Sequence, residues 1–67
     1  MKSLEKIATR CNKIEVSHDN GQWSCRFHHK SGIVCYGLGD SLANAIDAAE
    51  IHGRTRAREL KQKDWVF

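Results

Sequence analysis

Asn20-Gly21 is the tightest constraint in the chain, because both residues tolerate the positive φ that a two-residue hairpin turn demands at its centre. Alternating residues flank it on both sides. Ile14, Val16 and His18 interleave with Lys13, Glu15 and Ser17 before the turn, and Trp23, Cys25 and Phe27 interleave with Ser24, Arg26 and His28 after it. With Asp19 facing Gln22, His18 lies opposite Trp23, Val16 opposite Cys25 and Ile14 opposite Phe27, so the apolar pairs share one face. The other face receives Glu15 opposite Arg26 and Lys13 opposite His28. A slip of one residue would destroy both faces at once.

The remaining signals extend this hairpin. A second turn falls at Lys30-Ser31-Gly32, followed by a strand from Ile33 to about Leu38. A three-residue loop with Gly32 left-handed would aim Ile33 and Cys35 at the core, whereas an even-length loop would aim Val34, Tyr36 and Leu38 there. The second facing buries the larger apolar set and is preferred. Gly37 and Gly39 then loosen the strand end.

Helices bracket the strands. Ser3 can cap a short helix to Cys11, with Leu4, Ile7, Ala8 and Cys11 on one face, and Asp40 or Ser41 can cap a longer one marked by Leu42, Ala45, Ile46 and Ala49. A helix unbroken from Ser41 to Lys63 would run on the order of 34 Å against strands of about 23 Å, so it must overhang the sheet or break, with Gly53 the expected place. The expected fold is α+β: one small domain over residues 1–67, helix, three-stranded antiparallel sheet, helix, with both helices on one face. The segment 52–67 is a basic C-terminal region that can extend the helix.

At 67 residues the chain holds one core and buries only roughly 60% of its extended-chain surface, which favours binding on an outer face over a deep substrate cavity. Hydrophobic residues at 40% and charged residues at 28% indicate a folded domain. The net charge of +3 is the wrong sign for a DNA mimic, and it is unevenly placed. HGRTRARELKQK, residues 52–63, carries five cations and one acid, hence +4, leaving −1 for the rest. In a helix Arg54, Arg58 and Lys61 form a stripe suited to phosphates, with Arg56 and Lys63 adding charge. Arg26, Lys13 and His28 on the outer sheet face are a second candidate surface, Arg26 being the side chain suited to a guanine edge or a phosphate.

Three cysteines without a C-x-x-C, together with four scattered histidines, match no disulfide framework or common zinc spacing. No catalytic residue, metal or cofactor is expected, and the thiols are expected to be free. With no signal-peptide run and no eighteen-residue apolar stretch, the chain reads as cytoplasmic and without a membrane partner.

The stretch GQWSCRFHHKSGIVCYGLGDSLANAIDAA resembles two families. Trp23, Gly37, Gly39, Ser41, Ala45 and Ala49 are similar in spacing to the double-stranded-RNA-binding domain, although its Lys-rich helix start is here Leu42-Ala43-Asn44-Ala45-Ile46. Gly21, Trp23, Arg26, Gly37, Asp40, Ser41 and Ala45 resemble the ethylene-response-factor type DNA-binding domain. Both resemblances imply duplex DNA or RNA as partner. The expected function is therefore a small non-enzymatic nucleic-acid-binding accessory or regulatory protein. The alternative is a phage or mobile-element protein, anti-CRISPR-like, that inhibits a host protein complex by direct binding.

Overall fold

The computed structural model describes residues 3–67. It consists of α1 (Leu4–Ala8), β1 (Cys11–Asp19), β2 (Gln22–His29), β3 (Val34–Gly39) and α2 (Leu42–Glu59), with the three strands antiparallel in the order β1-β2-β3. Both helices contribute to a single core on one face of the sheet.

The first hairpin has the register that its turn dictates. Asn20 and Gly21 adopt φ of 51° and 78°, and His18, Val16 and Ile14 pair with Trp23, Cys25 and Phe27. The ladder shifts between Cys11 and Lys13, and Cys11 is buried at the start of β1. This also corrects the extent of the first helix. It stops at Ala8, capped at its start by Ser3 Oγ accepting from the Lys6 N–H, and Cys11 belongs to the sheet. Five residues cannot persist as a helix alone, so fully buried Ile7 anchors it to the core.

The second hairpin uses the three-residue loop Lys30-Ser31-Gly32, with Gly32 at φ 97° and the His29 N–H bonded to the Ile33 carbonyl. Consequently Ile33 and Cys35 are buried while Val34, Tyr36 and Leu38 are 42%, 41% and 44% exposed, the reverse of the preferred facing. The reason is the height of the helix above the strand. A Cβ on Gly37 would run into the Ala45 carbonyl and stand 2.5 Å from the Ala49 nitrogen, and one on Gly39 would stand 2.7 Å from the Ala45 nitrogen. The small inner residues of β3 let α2 lie directly on the strand, and that close contact outweighs the larger apolar area of the other face. The glycines act as a docking platform rather than a loosened strand end.

Ser41 caps α2 by accepting from the Asn44 N–H, and Ala45, Ile46, Ala49, Gly53 and Ala57 form its buried stripe. The helix does not break at Gly53. That position carries no side chain because Cys35 Sγ and Trp65 occupy the space, its missing Cβ lying 2.5 and 2.6 Å from them. The 18-residue helix therefore overhangs the sheet, and the C-terminal tail fills the space beneath. Phe67 is 4% exposed and meets Phe27 edge-on with ring centroids 4.9 Å apart.

Candidate nucleic-acid interface

The basic surface begins with helical spacing. Gly53 and Ala57 face inward, so Arg54 and Arg58, one residue further on and one turn apart, project side by side along the flank of α2. The helix then ends in a Schellman closure. Gln62 N–H donates to the Ala57 carbonyl and Lys61 N–H to the Arg58 carbonyl, with Lys61 in the left-handed region at φ 59°. This reversal brings Lys63 and Trp65 back against the helix. The result is a cleft of about 430 Å³ whose rim carries Arg54, Arg58, Lys61 and Lys63 over Ala57 and Trp65.

No side-chain carboxylate lines this cleft. Arg54 has Glu50 3.7 Å away, but among the described residues no carboxylate pairs with Arg58, Lys61 or Lys63. Arg56 stands apart from the cleft, bonded to Glu59 Oε1 at 2.9 Å. Trp65 spends its ring on the interior, with centroids 5.0 Å from His29 and 5.7 Å from Phe67. It serves as a wall of the cleft more than as a stacking platform, and its buried Nε1 has no hydrogen-bond partner. Long cationic side chains around a neutral floor suit phosphates held by charge.

Lys13, Arg26 and His28 occupy the outer sheet face, opposite the side that α2 covers. The structure thus separates the two expected surfaces instead of joining them. Arg26 lies over Tyr36, its guanidinium carbon 5.7 Å from the ring centroid, and Ser17 and Ser24 hydroxyls bond across the strands at 2.6 Å. His28 sits opposite Lys13 in the ladder, yet its Nε2–H donates diagonally to Glu15 Oε1 at 2.7 Å. The exposed row Val34, Tyr36 and Leu38 beside Arg26 follows from the facing that the three-residue loop imposes on β3.

Glu15 supplies a test of this face. The hydrogen bond from His28, aided by the charges of Lys13 and Arg26, holds its carboxyl below the ordinary value of 4.5 against the opposing effect of desolvation. Since the folded value is depressed, this interaction is in place above the ordinary value and is lost as pH falls through the lowered one. Titration followed by NMR should give Glu15 a midpoint below 4.5, moving upward in His28→Ala. A midpoint indifferent to that substitution would remove the His28 contact.

The three cysteines are free thiols in the core, where burial raises all three and, with Cys11 and Cys25 adjacent, pushes Cys35 up to about 12. They stay protonated at neutral pH and pack as small hydrophobes. Cys25 Sγ–H donates to the Ala45 carbonyl at 3.2 Å. Among the described residues no three His, Cys, Asp or Glu side chains converge as metal ligands would, and no helix is long and apolar enough to cross a membrane.

No family model matches this chain, and no curated protein or solved structure matches it significantly.

Proposed function

We propose that this protein is a non-enzymatic nucleic-acid-binding accessory or regulatory factor that grips the phosphate backbone in the cleft at the end of α2. The observation that carries this reading is the convergence of Arg54, Arg58, Lys61 and Lys63 on one carboxylate-free cleft. Four cations each neutralising one duplex phosphate contribute about −3.6 to the slope of log affinity against log salt. Between 50 and 200 mM salt that alone weakens binding by about 150-fold.

Fluorescence anisotropy with labelled duplex DNA and duplex RNA at low salt tests the proposal. Arg58→Ala with Lys63→Ala, both exposed positions, should lower the magnitude of the slope by about 1.8 while leaving the folded structure intact. Lack of binding to either duplex at low salt, or a slope indifferent to the double substitution, would refute it.

A second reading is favoured by the exposed row Val34, Tyr36 and Leu38 next to Arg26, an apolar strip with an arginine at its side. Such a strip suits a protein partner, as in an inhibitor of a host complex. Tyr36→Ser with Leu38→Ser should then abolish capture of that partner and leave the salt slope for DNA unchanged.

A further inference from the structure

The tail that walls the first cleft also walls a second. Lys6, Thr9 and Arg10 face Val66 and Phe67 across a hollow of about 460 Å³. Trp65 lines one cleft and Phe67 the other, and two residues of chain span at most about 7 Å. The segment 65–67 is thus a partition that borders both hollows.

That partition is fastened to the body of the protein. The Ser31 N–H donates to His29 Nδ1 at 3.0 Å, so this ring carries its proton on Nε2 and donates it to the Val66 carbonyl at 2.6 Å. Phe67 is locked against Phe27 at the other end of the same segment. The cations of the second hollow are also fixed at their backbones. Arg10 N–H donates to the Ile7 carbonyl and the Arg10 carbonyl accepts from Lys30 N–H, both at 2.9 Å, while the Lys6 carbonyl accepts from Thr9 Oγ1 at 2.6 Å. Lys6 and Arg10 are exposed, and among the described residues neither pairs with a carboxylate. No acidic side chain lines this hollow either, and among the described residues the α-carboxylate of Phe67 forms no ion pair with Lys6 or Arg10.

We infer that one phosphate-bearing strand crosses the tail and occupies both hollows, so that Lys6 and Arg10 extend the four-cation cleft into a six-cation track. This inference rests on the nucleic-acid reading of the first cleft. It assigns a binding role to Lys6 of α1 and to Arg10 in the turn that follows, which neither the basic C-terminal segment nor the sheet face announced. Six neutralised phosphates raise the contribution to the salt slope to about −5.4, equivalent to a loss of about 1,800-fold in affinity between 50 and 200 mM salt.

The experiment compares four forms of the full chain on one labelled 20-base-pair duplex: wild type, Lys6→Ala with Arg10→Ala, Arg58→Ala with Lys63→Ala, and the quadruple variant that combines the two pairs. Each pair should lower the slope by about 1.8, the combined quadruple variant by about 3.6, and the wild type should bind at a single site per protein. Circular dichroism and thermal melting verify that each variant is folded, and Lys6→Gln with Arg10→Gln replaces the alanine pair should α1 prove sensitive. A slope unchanged by losing Lys6 and Arg10, but reduced by losing Arg58 and Lys63, overturns the track and leaves the first cleft standing. Two independent duplex sites per protein overturn it as well. Failure of the wild type to bind any duplex removes the nucleic-acid reading and the track together.

Discussion

Replacing Phe27 with alanine is expected to cost about 3–5 kcal/mol, enough to leave much of the protein unfolded at 25 °C. The total stability of a chain this size is about 3–10 kcal/mol at the usual 0.05–0.15 kcal/mol per residue. Phe27 is fully buried, lies between Ile14 of β1 and Cys35 of β3, and supports Phe67 through an edge-on ring contact. Its cross-strand neighbour Cys35 is too small to fill the vacated space. Urea unfolding should report the loss as a lower midpoint. The surviving folded fraction should also show increased solvent exposure of Trp65, because Phe67 holds the tail in place. A destabilisation below about 1.5 kcal/mol, the scale of a single buried methylene or two, would mean that the core is centred elsewhere.

Gly37→Ala should destabilise the protein by about 3 kcal/mol, at the upper end of overpacking effects. Simple conformational reasoning gives the opposite sign, since alanine in a strand interior is favoured over glycine by roughly 0.5–1 kcal/mol. The two expectations are therefore separated by their direction as well as their size. The added methyl would meet the Ala45 carbonyl oxygen, the Ala49 nitrogen at 2.5 Å and Ala49 Cβ at 3.0 Å. Two of these are backbone atoms of α2, which cannot rotate away as a side-chain tip could, so the helix as a whole must lift from β3. Thermal melting of the variant settles the matter. An unchanged or raised midpoint would show that α2 does not lie in direct contact with Gly37.

Lifting α2 also connects these core positions to the proposed phosphate cleft. The helix carries Arg54 and Arg58, and Trp65 packs into the gap left by Gly53. Displacement of the helix or release of the tail separates the two walls of the basic cleft. On the proposed nucleic-acid function, core variants that remain folded should bind duplexes with a shallower salt dependence, although none of their substituted residues bears charge.

The sequence by itself determined what depends on neighbouring residues. Asn20-Gly21 set the turn, the turn set the register of β1 on β2, Ser41 set the start of α2, and the spacing of Leu42, Ala45, Ile46 and Ala49 set its buried face. Each rests on backbone torsions or side-chain periodicity acting over a few residues. The concentration of positive charge in residues 52–63 was equally legible, since it requires only counting.

Tertiary structure alone decided the facing of β3, the continuity of α2 through Gly53 and the composition of the cleft. Burying Val34, Tyr36 and Leu38 would have covered more apolar area, but it would have kept α2 from lying directly on Gly37 and Gly39. Gly53 looked like a helix breaker because its reason for being glycine is Trp65, twelve residues away in sequence and in contact only after folding. Arg56 joined the basic candidates by proximity in the chain, yet it faces Glu59, whereas Lys6 and Arg10 reach the same end of the molecule from its other terminus. Local torsional preferences are written residue by residue, but which small residues must meet, and which distant cations share a cleft, follows from how closely the helix approaches the sheet.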